Sequence, residues 1–453
     1  MENSYRVSVI ESLKKIFIDN SYSNLVINHD VKNVNMKYSG LYRKSVLGVI
    51  ENLMFIDYII NQMSKTKTKK MEYDVLFVLR LAVYQIFFLE NSYENIVVNE
   101  SVEYIKEKGN IRASKFINAV LRNILRNKDN LLKSMEKLNK NDYLSVKYSY
   151  PKWLVEKWTK QFGKDQIENV LLWNNSQAPL EIRVNTLKTN RNELISLLNE
   201  KNMNAKICQI SNKGIEVENP TSIDNMVQFK NGLFSIQSES SMLVGQVLNP
   251  KENSLIVDVC AAPGGKSLNV AELMNNTGLV ISRDLYKGKI PLIINEAQRL
   301  GITNIQAESY DATKLDDNLI GKADYVIVDV PCSGLGIIRR KPEIKYNKSE
   351  LILSDIENVQ YKILENASKY LKQNGELIYS TCTTEKKENL DIINKFLEEN
   401  DNFKLMDISQ ETGNYFDTSK NGFIEVYPHI HHMDGFFIAK LKRLWYNAKN
   451  QYV

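Results

Sequence analysis

The chain has 453 residues, 43% hydrophobic and 25% charged, with a net charge of +5. That is ordinary globular composition for two or three domains. No apolar run approaches the roughly 18–20 residues of a membrane span, and the cysteines (Cys208, Cys260, Cys332 and Cys382) form no C-x-x-C pair, so no membrane-spanning helix is expected and zinc and redox motifs are unsupported.

The opening segment MENSYRVSVIESLKKIF reads as an amphipathic helix without a signal-peptide pattern, so a cytoplasmic protein with reduced thiols is expected. Residues 1–140 carry 22 Lys/Arg against 15 Asp/Glu, a local +7 that leaves the remainder near −2. A basic segment beside a nearly neutral one points to a polyanion partner for the first. Within it, Val75, Leu76, Leu79, Val83 and Ile86 recur at helical spacing, as do Ile117, Val120, Leu121, Ile124 and Leu125, and NKDN (127–130) breaks the pattern. Residues 1–138 therefore read as an all-helical domain, with SKTKTKK (64–70) as an exposed loop.

From 139 to 232 the character changes to a small α+β subdomain. Pro151 starts a short helix, PLEIRVNTLK (179–188) reads as a strand, RNELISLLNEKN (191–202) as a helix and AKICQI (205–210) as a strand. Residues 233–445 alternate strand and helix. LIVDV, GLVISRD, IQAES, ADYVIVDV and GELIYST are apolar strands, and FKLMDI and GFFIAKLK follow with little between them to form a crossover helix. A doubly wound, mostly parallel sheet with an antiparallel edge is expected.

VDVCAAPGGKS (257–267) resembles the end of a nucleotide-triphosphate loop, but the first glycine that G-x-x-x-x-G-K-[ST] requires falls on Cys260. The alternative is a glycine loop after the first strand of a doubly wound fold, where a ligand approaches the carboxyl edge of the sheet. Asp284 follows the second strand, Asp311 the third and Asp329 the fourth. A carboxylate after the second strand suits a ribose diol and one after the third an adenine amino group. The set fits S-adenosylmethionine, which has no phosphate to cradle.

Cys332 in Pro-Cys and Cys382 in Thr-Cys both follow apolar strands. Cytosine C5 is too weak a nucleophile to attack a methyl donor, but a thiolate added to C6 turns the ring into an enamine whose C5 can attack. Arg183, Lys188, Arg339, Arg340 and Lys341 read as cations beside the crevice that could hold RNA phosphates around a splayed base. His429, His431 and His432 lack a regularly spaced ligand set, so no metal is expected.

CAAPGGKS, RDLYKGK, DVPCSGLGIIRRKPEIKY, STCTTEKKEN and PHIHHMDGFFIAKLKR together resemble the RNA (cytosine-5) methyltransferases of the RsmB/Sun type. LRLAVYQIFFLE, VVNESVEYIK and AVLRNILR resemble NusB-type RNA-binding domains. The resemblance implies a NusB-like all-α bundle, a small α+β RNA-binding subdomain and an α/β Rossmann-like methyltransferase domain. It implies S-adenosylmethionine as cofactor, and methylation of 16S rRNA at cytosine-967 through a covalent cysteine–C6 adduct. Cys382 then corresponds to the nucleophile, Cys332 assists product release, Asp329 holds the cytosine edge and Lys266 lies near cofactor and base. Cys260, Ala261, Ala262, Pro263, Gly264, Gly265, Lys266, Asp284, Asp311 and Asp329 are implied to line the cofactor site. Val330, Gly288 and Pro291 depart from the family pattern. The same chemistry on tRNA, and a non-catalytic RNA-binding factor, are the alternatives. Without coiled-coil heptads, a monomer is expected.

Overall fold

The computed structural model describes residues 5–90, 93–218 and 223–445, the side chains of 350–353 excepted. The chain forms two compact units, one of Met1–Ser176 with Ile338–Asn347 and one of Gln177–Ile337 with Lys348–Val453.

The first unit has no strand among its described residues. Its central helix, Tyr73–Phe88, is buried from Val75 through Ile86, as a helix that is apolar on every side must be. The helix Ile111–Arg126 is amphipathic, buries Ile117, Val120, Leu121 and Ile124, and is capped by the Asn110 side chain, which accepts from Ala113 N–H. Asn127 ends it, and a new helix, Lys128–Met135, starts at the next residue, so NKDN breaks the pattern as a corner between two helices. In the 64–70 loop the four lysines are exposed, while Thr68 is buried and its N–H donates to Asn61 Oδ1.

Two further segments belong to this compact unit. The helices Lys140–Tyr148, Lys152–Phe162 and Ile167–Asn174 group with it by packing. So does the strap Ile338–Asn347, which comes from far along the chain. Glu343, buried, accepts from Ser23 N–H and Oγ at 3.1 and 2.7 Å. Lys345, fully buried, donates to Glu51 O at 2.9 Å and Asn175 Oδ1 at 3.3 Å. Tyr346 donates to the carbonyls of Ile50 and Ser149.

The second unit holds two sheets. The smaller is antiparallel, with strands β1 (Leu180–Val184), β2 (Ala205–Ile207), β3 (Gly214–Val217) and β4 (Phe234–Ile236) in the order β2-β3-β1-β4. β3 and β4 were not predicted, because three or four residues are too few to display an alternation. The larger sheet has β5 (Leu255–Asp258), β6 (Leu279–Asp284), β7 (Ile305–Ser309), β8 (Ala323–Asp329), β9 (Leu371–Thr381), β10 (Phe403–Leu405), β11 (Phe423–Val426) and β12 (Phe436–Arg443). Its order is β10-β12-β9-β8-β5-β6-β7, with β11 also on β12. β5 to β9 are parallel, and β12 runs antiparallel to β9, β10 and β11, which matches the expected antiparallel edge.

Parallel strands covered on both faces read as continuous apolar runs. Ile256 and Ile327 pack into one core with Leu268, Ala271, Ala297 and Leu300, while Val257, Val326 and Val328 face the other with Leu364, Ala367, Ile393 and Phe396. The chain winds outward through β5, β6 and β7, then returns to β8 on the other flank of β5. That reversal places the carboxyl ends of β5 and β8 at the switch point where doubly wound sheets bind ligands.

Candidate active site

β5 ends in Asp258, which is fully buried. Its Oδ2 accepts from Ser267 Oγ at 2.6 Å and its Oδ1 from Cys260 N–H at 3.4 Å. Burial pushes the carboxyl up to about 7, with the Ser267 hydrogen bond opposing and Asp329 adding to the rise. The loop turns through a cis Ala262–Pro263 bond to Gly264 at φ 109, a conformation that glycine adopts without strain. The helix Gly265–Leu273 starts there. Asp284, at the end of β6, closes the other side by accepting from Ala262 N–H at 3.2 Å and Tyr286 N–H at 3.0 Å. Carboxylates thus occupy the N–H groups of Cys260 and Ala262, and Lys266 is committed to Asp329, so the loop is no phosphate cradle. A sulfonium–ammonium ligand with a ribose diol fits an edge that carries the Asp284 and Asp329 carboxylates.

Asp329 ends β8 and pairs in register with Ser380 on β9. One carboxylate oxygen accepts from Lys266 Nζ at 2.7 Å and the other from Ser380 Oγ at 2.7 Å. Burial works against the Lys266 charge, but Asp329, with Cys382 and Asp258 beyond it, outweighs burial and holds its pKa above the usual lysine value. The ammonium also lies 5.4 Å from the Phe436 ring centre. Two residues past Ser380, Cys382 Sγ stands 3.2 Å from Cys332 Sγ. The hydrogen bond with Cys382 first, then burial, pushes the Cys332 thiol well above its ordinary value. The two cysteine loops are also tied by Gly336 N–H to Cys382 O at 3.0 Å, while Gly336 O accepts from Gly435 N–H.

The structure therefore brings Lys266, Asp329, Cys332 and Cys382 together, and folds residues 260–265 against Asp284. Asp311, after β7, turns into its own loop and accepts from Thr313 N–H and Oγ1. Burial raises the Cys260 thiol well above its usual value, helped by Asp258, Asp329 and Asp284.

The expected phosphate-holding cations are placed differently. Arg183 is 1% exposed and donates to Glu272 Oε2 at 2.8 Å and Asn269 Oδ1 at 2.9 Å, so it is an internal ion pair. Lys188 donates to the carbonyls of Asn231 and Arg299. Arg339 and Lys341 belong to the strap, where they lie over the rings of Trp173 and Tyr22, 4.2 and 5.1 Å from the ring centres. The partners of Arg183, Lys188, Arg339 and Lys341 all lie far away in sequence, and for Arg183 the partner is a carboxylate that takes up its charge. Of the histidines, His431 Nδ1 accepts from Tyr427 N–H in the short helix Pro428–His431, and His432 caps that helix. No group of three possible metal ligands occurs among the described residues.

Sequence reasoning missed Ser380 and Phe436. Both stand inside motifs already singled out, but only the folded chain reveals that they face Asp329 and Lys266.

Comparison with known proteins places the chain in a family. Residues 245–442 match 16S rRNA methyltransferase RsmB/F, residues 3–126 the NusB family, and residues 150–224 the ferredoxin-like domain of RsmF/B-like methyltransferases. A probable ribosomal RNA small subunit methyltransferase B of Bacillus subtilis is 34% identical over 98% of this chain and 99% of its own length. The 25S rRNA (cytosine-C(5))-methyltransferase nop2 of Schizosaccharomyces pombe is 33% identical over 66% of this chain and 51% of its own. The crystal structure of PH0851 superposes with a TM-score of 0.83 at 25% identity, over 97% of this chain and 98% of that one. Fold and site define an S-adenosylmethionine-dependent RNA (cytosine-5) methyltransferase. The chain belongs to the RsmB/F methyltransferase family, with the NusB and ferredoxin-like domains in front of the catalytic one.

Proposed function

We propose that this protein methylates C5 of a cytosine in 16S rRNA, cytosine-967, through a transient bond between Cys382 and C6 of the base. The observation that carries the reading is the Cys332–Cys382 pair, 3.2 Å apart, beside an Asp329 held by Lys266 and Ser380. The names of the small-subunit relatives and the NusB match support the substrate.

The cofactor supplies an electrophilic methyl group. Cys382, as thiolate, adds to C6, and the ring electrons move to C5, which becomes the nucleophile. Asp329, fixed on both oxygens by Lys266 and Ser380, holds the cytosine edge. After transfer a solvent water takes the C5 proton, the C5–H electron pair re-forms the C5–C6 double bond, and Cys382 departs as thiolate. Cys332, whose pKa keeps it a thiol, donates its S–H to that departing thiolate. The enzyme works as a cytoplasmic monomer in this reading, which light scattering tests for the oligomeric state.

The deciding experiment is methyl transfer from labelled S-adenosylmethionine to protein-free 16S rRNA, with tRNA and cytosine-free RNA beside it. Label is expected as 5-methylcytosine in 16S rRNA alone, at position 967. Cys382→Ala loses transfer, and Cys332→Ala accumulates a covalent RNA adduct. Turnover by Cys382→Ala would overturn the nucleophile, and label in tRNA alone would overturn the substrate.

A further inference from the structure

Cys332 is bracketed on both sides by buried side chains that lie outside the reacting groups. Glu388, 1% exposed, follows β9 on the short turn Lys386–Glu388. Its Oε2 accepts from Ser333 N–H at 2.9 Å and from Gln360 Nε2 at 2.9 Å. Gln360, fully buried on the helix Glu350–Ser368, also donates to Pro331 O at 3.0 Å. The backbone before and after Cys332 is therefore pinned by one glutamate–glutamine pair. A second tie, Ser333 Oγ to Thr383 Oγ1 at 2.7 Å, joins the residues that follow the two cysteines.

The turn that carries Glu388 is itself rigid. Glu388 O accepts from Tyr379 OH at 2.7 Å, and Asn389 Nδ2 donates to Thr383 O at 3.0 Å. The other carboxyl oxygen, Glu388 Oε1, is buried without a hydrogen-bond partner. An apolar side chain would fill such a place at lower cost than a carboxyl with an idle oxygen. What the carboxyl supplies here is an acceptor that two donors can share, and both donors are tied to the Pro331–Ser333 turn.

We infer that Glu388, together with Gln360, is a positioning residue for the release step: it fixes the Pro331–Ser333 backbone so that the Cys332 thiol stays against Cys382. The inference rests on the proposed roles of those two cysteines. Glu388 touches no reacting atom and acts only through Cys332, so its loss should slow adduct breakdown and leave adduct formation and cofactor binding largely intact.

The experiment measures the fraction of enzyme trapped on 16S rRNA in denaturing gels, with turnover and the KM for S-adenosylmethionine, in the full-length protein. Glu388→Ala should accumulate adduct, as Cys332→Ala does, with turnover lowered on the order of tenfold to hundredfold by a misplaced release group and the cofactor KM unchanged. Glu388→Gln should restore turnover, because the amide oxygen can take the place of Oε2 and the NH2 group the place of the idle oxygen. Gln360→Leu frees only the Pro331 side and should shift the adduct fraction in the same direction, which keeps the test decisive if Glu388→Ala does not fold. Absence of adduct in Cys332→Ala would overturn the underlying cysteine assignment. Adduct in Cys332→Ala but not in folded Glu388→Ala or Gln360→Leu would overturn the inference alone.

Discussion

The sulfur atoms of Cys332 and Cys382 lie 3.2 Å apart, at the ends of two neighbouring parallel strands. Two thiols this close titrate as a pair, and the second proton is held tightly. The Cys332 pKa, raised well above the ordinary value by the hydrogen bond with Cys382 and by burial, marks it as the holder of that proton. Alkylation near pH 8 should therefore modify Cys382 first, with activity lost in step with that single event. Mass mapping of partially alkylated protein checks this; equal labelling of both cysteines would contradict it.

Lys266 and Asp329 form one unit at 2.7 Å. Lys266→Met should lower turnover on the order of a hundredfold, as loss of a preorganised charge does. Asp329→Asn should do the same, and the double variant should be little worse than either, because interacting sites are not additive. Steady-state kinetics on the four proteins gives the coupling. Simple additivity would mean that the residues act separately.

Asp258 makes stability depend on pH. Its pKa is raised by burial from the ordinary 3.8 to about 7, so between about pH 4 and 7 the folded protein keeps a proton that the unfolded chain releases. This contribution is fully present below about pH 4 and is lost as the pH rises to about 7. Asp258→Asn, which keeps an acceptor for Ser267, should flatten the decline and unfold at higher urea than the parent at pH 8. Urea titrations at pH 5 and 8 compare the two proteins; parallel shifts in both would refute the assignment.

Arg183 and Glu272 are an ion pair with both side chains 1% exposed. Glu272 also accepts from Lys213 at 2.8 Å and from Thr186. Arg183→Met should cost about 3–5 kcal/mol, since it strips a partner from a buried carboxylate. Arg183→Met with Glu272→Leu should cost less than the two singles summed. Urea unfolding of the singles and the double tests both statements.

Much of this site is legible in the sequence, for a physical reason. Strands buried on both faces appear as unbroken apolar runs, and Asp258, Asp284 and Asp329 end three of them; the glycine loop and the two cysteines stand at the same edge. What was hidden depends on distant partners or on short elements. β3, β4 and β11 have three or four residues each, too few to show a period. Arg183 reads as a surface cation because Glu272 lies 89 positions away. Arg339 and Lys341 follow the Pro-Cys loop closely, yet the chain joins the helical unit at Ile338. Glu388 stands in a motif noticed for its cysteine, and its contact with Ser333 spans 55 positions.

The strap also has a consequence for how the protein is made. Ser23, Glu51 and Asn175 are translated early, but the groups that satisfy or use them, Glu343 and Lys345, arrive more than a hundred residues later. A nascent helical unit cannot complete its interior on the ribosome when its own 176 residues have emerged. It must wait until most of the catalytic unit has been synthesised. The amino-terminal unit finishes late, and any scheme that cuts the chain into separate pieces at residue 176 leaves Glu343 and Lys345 on the wrong polypeptide.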